Sequence, residues 1–153
     1  MGKATQLATG DEFVYVGTAD SAFVDAYRVD GTPAGTFPIG LAGRRTTQRN
    51  QDAVIETAVS ALIAEEREAA RAMLRSMPMP EQLPPYYGLF ADILGNLWAV
   101  TSLPGDSTTS LMAIDGKGRR IGEIRMPLEL RVFEIGEDYI LGGYQAADGE
   151  PQR

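Results

Sequence analysis

The chain repeats itself, and the repeat length restricts its fold more than any other feature. Phe13-Val14-Tyr15-Val16 recurs as Leu97-Trp98-Ala99-Val100 at an offset of 84. Val29-Asp30-Gly31, followed by Gly35-Thr36-Phe37, recurs as Ile114-Asp115-Gly116, followed by Gly122-Glu123-Ile124, at an offset of 85. Half that distance recurs too, with Leu97 returning as Tyr139 at 42 and Phe90 as Phe133 at 43. Each unit carries short aromatic and β-branched runs divided by Asp-Gly, Gly-Asn and Pro turn signals, the pattern of a four-stranded antiparallel meander. Strands are expected at 12–17, 21–29, 32–39, 86–93, 97–103, 111–114, 120–126, 130–135 and 139–144.

Between the repeats the period changes. Ile55, Val59, Leu62, Ala69 or Ala70, Met73 and Met77 recur at three- and four-residue steps, with Glu56, Ser60, Arg67, Arg71 and Arg75 on another face. Thr47 or Asn50 can cap the start, and Pro78 and Pro80 stop the run. One amphipathic helix of about 25 residues within 47–77 is expected. Residues 78–85 then form a stiff, extended connector.

A four-strand unit of this length is a propeller blade. The expected fold class is mainly β, a partial β-propeller of about two four-stranded blades with one inserted helix. The organisation divides into an N-terminal extension at 1–10, blades at 11–145 with the helical insertion 47–77, and a C-terminal tail at 146–153. With strands lettered A to D outward, the order reads B-C-D, helix, A-B-C-D, A-B. Nine strands leave partial blades with open edges, so completion by homo-oligomerisation is expected. A trimer is favoured, in which the strand at 130–135 of one copy joins the set at 12–39 of the next, with a dimer of exchanged partial blades as the alternative.

Composition removes most chemistries. The 153 residues contain no Cys and no His, which excludes disulfides, thiolate or Ser-His-Asp nucleophiles, and Cys- or His-based zinc, haem and iron–sulfur sites. A metal would have to be a hard cation on oxygen ligands, Ca2+ first. A net charge of −7 argues against a nucleic-acid partner. No apolar run approaches a membrane span and no signal-peptide core is present, so a soluble chain of undetermined compartment is expected.

Residues 83–87 leading into Phe90-Ala91-Asp92, then Gly95-Asn96-Leu97-Trp98-Ala99-Val100, then Ile114-Asp115-Gly116-Lys117-Gly118-Arg119, resemble a blade of the six-bladed bacterial propellers with NHL-like repeats. Similar propellers include calcium-dependent hydrolases of the gluconolactonase and paraoxonase kind, and many binding scaffolds. The resemblance implies a metal-assisted hydrolase of activated esters, lactones or phosphotriesters, acting on a small-molecule ligand. The alternative is a non-catalytic binding or structural module.

In such a fold the D-to-A and B-to-C connections gather on the ligand face. Asp20, Asp106 and Glu129 fall in or beside them, as candidate calcium ligands or as solvated loop carboxylates. Glu129, Tyr86 and Tyr87 are the candidate catalytic groups, the tyrosines offering phenols as donors or a base, with packing the plainer alternative. Arg71 and Arg75, in a stripe with Arg67, are candidates for binding an anion or developing oxyanion, with a solvated face as the alternative. Asp92 and Asn96 read as turn formers.

Overall fold

Period-two alternation turns one row of side chains inward in the first repeat: Ala8, Tyr15, Val24 and Ala26 are buried, while Leu7, Thr9, Phe23 and Asp25 are exposed. They lie on β1 (Gln6–Thr9), β2 (Phe13–Gly17), β3 (Phe23–Arg28) and β4 (Pro33–Pro38), antiparallel neighbours in chain order. The structure, a computed structural model, describes residues 4–144. The expected tail at 146–153 lies outside the described residues. β1 lies within the stretch assigned to the N-terminal extension at 1–10 and pairs with β2 on the side that was left empty in the strand order expected from the sequence.

After the first sheet the chain enters a narrow neck. β5 (Arg44–Arg45) pairs with β6 (Gln82–Leu83), and Thr46 donates its backbone N–H to Glu81 O at 2.9 Å. Gly43 is needed at the entrance, because a Cβ there would stand 2.9 Å from Leu83 O. The neck closes on two helices, α1 (Gln48–Ser60) and α2 (Ala64–Ser76), where one was expected. Thr47 and Asn50 form a reciprocal capping box at the start of α1. The break falls at residues 61–63, where Ile63 is extended and Glu65 and Glu66 open α2 at its positive end. Arg67 secures it, donating from Nε to Leu62 O at 2.9 Å and from Nη2 to Ser60 O at 3.2 Å. These bonds satisfy carbonyls at and just beyond the end of α1, which a continuous helix would have used internally.

The second repeat forms β7 (Gly88–Ala91), β8 (Leu97–Val100), β9 (Thr108–Ile114) and β10 (Arg120–Pro127), again in chain order, and β11 (Leu130–Ile135) pairs with β12 (Ile140–Tyr144). The described residues are thus mainly β, with four antiparallel sheets and two helices. No helix among the described residues is long and apolar enough to cross a membrane.

Parity places the sheets against one another. Leu97, Ala99, Met112 and Ile114 join Ala8, Tyr15, Val24 and Ala26 in one core between the first and second sheets. Trp98, Val100, Leu111 and Met126 on the opposite face join Val132 and Ile135 in a second core beneath β11. A bulge between Val132 and Glu134 lets Val132 and Ile135 both point inward, with Phe133 60 % exposed. Among the described residues ten strands therefore build the three principal sheets, where nine were expected of the whole chain.

Candidate functional site

The loop from β8 to β9 is two residues longer than its counterpart from β2 to β3, since Tyr15 faces Ala26 whereas Ala99 faces Met112. The extra length folds onto the neck. Asn50 donates from Nδ2 to Pro104 O at 2.8 Å, and Arg49 donates from Nη2 to Gly105 O at 2.6 Å. Gly105 holds φ +87, which lets the loop turn against α1. Arg44, from β5, donates from Nη2 to Thr101 O.

These contacts wall off a cleft of about 470 Å³. Arg44 and Arg49, together with Arg120 and Arg125 from β10, line it, with Asp106 and Glu123 as the acidic residues. Glu123 takes up much of the β10 charge, accepting from Arg120 at 2.5 Å and lying 3.5 Å from Arg125. Asp106 accepts the N–H of Leu103 at 2.7 Å, which fixes the loop. Among the described residues Arg44 and Arg49 have no carboxylate partner, so a chain with a net charge of −7 carries a local positive excess here. Leu41, Pro85 and Met112 supply an apolar portion, and Ser107, Thr108 and Ser110 supply hydroxyls.

Of the residues singled out from the sequence, Asp106 alone lines this cleft. Tyr87 lies within reach of the charges of Arg44 and Asp106; burial pushes its phenol upward, Arg44 opposes that and Asp106 adds to it. Its hydroxyl is buried without a hydrogen-bond partner, a condition that costs stability. Tyr86 is fully buried in the first core and accepts the N–H of Ala19 at 3.0 Å. Burial raises its phenol as well, against the hydrogen bond from Ala19 and with a contribution from Asp20. Gly17 makes that packing possible, since any Cβ there would collide with the Tyr86 hydroxyl.

Asp20 is exposed on the loop from β2 to β3 and accepts from Thr18 Oγ1. Glu129 is exposed between β10 and β11. Among the described residues no three acidic side chains come together to hold a cation. Arg71 is bound by Glu56 at 2.8 and 2.9 Å and by Glu68 at 2.6 Å, joining α2 to α1, and Arg75 is exposed. Neither reaches the cleft.

Asp92 is more than a turn former. It is only 5 % exposed and accepts four bonds of 2.8–2.9 Å, from the N–H of Leu94, the N–H and Nδ2 of Asn96, and Nε1 of Trp98. Burial pushes this carboxyl up, yet the hydrogen bonds outweigh burial and hold it below the usual aspartate range.

The cleft arginines were missed because they belong to separate segments: Arg44 and Arg49 flank the neck, and Arg120 and Arg125 lie on β10. The available signal was the Gly43-Arg44-Arg45 step before a helix cap, cationic residues where the chain must turn. Fold and site together define a mainly β chain of stacked antiparallel sheets with a cationic cleft at the neck of a helical insertion. Comparison with protein-family models, with curated proteins and with solved structures finds no significant match.

Proposed function

We propose that the chain is a self-pairing module of the propeller type whose role is binding rather than catalysis. The carrying observation is the third sheet, which among the described residues has two strands where the first and second have four. Its outer strand, Ile140-Leu141-Gly142-Gly143-Tyr144, carries no charge, and Leu141 and Tyr144 are 53 % and 55 % exposed. Open edges are ordinarily blunted by Lys, Pro or a strong bulge on the edge strand, and an uncharged edge is a template for pairing. An apolar groove of about 510 Å³, lined by Phe90, Val100, Leu111, Leu130 and Phe133, also remains between the second sheet and β11.

Two copies related by a two-fold axis, β12 against β12, would give a four-stranded sheet matching the other two. The trimer expected from the sequence relied on an empty position beside β2, and β1 occupies it. Covering Phe133, Tyr139, Ile140, Leu141 and Tyr144 would bury roughly 500 Å² per copy, near the lower limit for a specific interface, so pairing should depend on concentration. A binding role is supported by the structural engagement of Tyr86, Asp106 and Arg71, each held by a neighbouring group.

Sedimentation equilibrium across the micromolar range tests this reading. The mass should rise towards twice 16.5 kDa, and Leu141→Lys or Tyr144→Lys should hold it at one chain while circular dichroism stays unchanged. A single-chain mass at every concentration, or a threefold mass, would overturn it.

A further inference from the structure

We infer that the cleft between the neck and β10 binds the phosphoryl group of a small organic phosphate, with Arg44 and Arg49 as its principal ligands and the apolar portion at Leu41, Pro85 and Met112 receiving the organic body. This goes beyond the self-pairing reading and does not depend on it, since the cleft lies among β5, α1, β8–β9 and β10, away from the β12 edge.

Three observations converge. First, Arg44 and Arg49 are oriented without being neutralised: each gives one Nη2 donor to a backbone carbonyl of the loop from β8 to β9, at Thr101 O and Gly105 O. A guanidinium has five donors, so most remain for a ligand, in the planar fork that matches phosphate oxygens. Second, Arg120 and Arg125 line the same cleft, largely exposed and restrained by a single carboxylate, Glu123. An incoming dianion competes with Glu123 for these two and gains charge-assisted bonds from them as well. Third, the cleft of about 470 Å³ has the size of an ordinary small-molecule site and exceeds what inorganic phosphate fills.

The insertion acquires a purpose in this reading. Its neck fixes Arg44 on β5, and the capped first turn of α1 fixes Arg49, so both guanidiniums sit on regular elements and not on the loop they face. The same geometry favours small molecules over nucleic acid: among the described residues these four arginines make a local cationic point on an anionic chain.

Isothermal titration of the full chain with inorganic phosphate, glucose 6-phosphate, adenosine 5′-monophosphate, glucose and adenosine tests the proposal. At least one organic phosphate should bind more tightly than inorganic phosphate, and the unphosphorylated pair should not bind. Arg44→Ala and Arg49→Ala should each weaken binding about tenfold or more, as expected for loss of a charge-assisted contact. Glu123→Gln should strengthen it by freeing Arg120 and Arg125, and Arg131→Ala, outside the cleft, should leave it unchanged. If the alanine variants fail to fold, the gain with Glu123→Gln alone still decides. No binding of any phosphorylated probe at millimolar concentration, equal affinity for inorganic phosphate, or equal weakening by Arg131→Ala would overturn the assignment.

Discussion

Thr36 donates from Oγ1 to Oδ1 of Asp25 at 2.6 Å, a polar pair across β3 and β4 on the outer face of the first sheet. The equivalent pair in the second sheet is Leu111 opposite Ile124, the apolar surface on which β11 packs. Two sheets of one repeat therefore present opposite chemistries at the same place. The first is finished for solvent, as terminal units of stacked arrays are. The double variant Asp25→Leu, Thr36→Ile should convert this cap into a second adhesive face. Light scattering should then show species larger than a dimer, growing with concentration; an unchanged mass would mean that this polar pair does not limit assembly.

Asp92 should govern acid stability. Its folded carboxyl lies below the ordinary aspartate value, so its contribution is present above about pH 4 and is lost as pH falls through the lower, folded value. Melting curves should show the native chain losing stability below about pH 4, and Asp92→Asn losing less over the same interval. At neutral pH, Asp92→Ala should cost about 3 kcal/mol, because it strands the Trp98 indole and the Leu94 and Asn96 donors in a buried place. A variant as stable as the parent in urea would refute this.

Tyr87→Phe should stabilise the ligand-free chain by about 1 kcal/mol, since it removes a buried hydroxyl that has no partner. The urea midpoint is the measurement. A loss of stability would show that the hydroxyl gains a partner in solution, an ordered water being the nearest candidate.

Calcium discriminates the hydrolase reading implied by the propeller resemblance. A binding module should melt at the same temperature with calcium or chelator and should give no turnover of a chromogenic ester or phosphotriester above background. Chelator-sensitive turnover would restore Asp20, Asp106 and Glu129 as metal ligands assembled between copies, since they lie on loops of different sheets.

The strands of both repeats were legible because their period-two runs are bounded by Asp-Gly and Gly-Asn turns, as at Asp30-Gly31 and Gly95-Asn96. β1 was hidden: Gln6-Leu7-Ala8-Thr9 has one large apolar residue, and only its pairing with β2 makes it a strand. The helix break was masked by Leu62, which continues the spacing of Ile55 and Val59. Glu65-Glu66, an acidic doublet in mid-run, was the mark of a new helix start. Asp92 could be read as a turn residue, but its bond to Trp98 depends on the fold. The cleft was illegible in principle, since its four arginines come together only through the neck and the loop from β8 to β9.

α2 buries none of its residues and is joined to α1 mainly through Arg71 and the caps made by Arg67; Met73, on its apolar spacing, is 61 % exposed. It is the element whose amides should exchange with deuterium first and whose junction at 61–63 a protease should cut first. The sheets and the arginine neck lie upstream and downstream of that junction and gain little from what hangs on it. The outer turn of the insertion is thus a port, a place where a tag or a foreign domain can be grafted without disturbing the remainder of the chain.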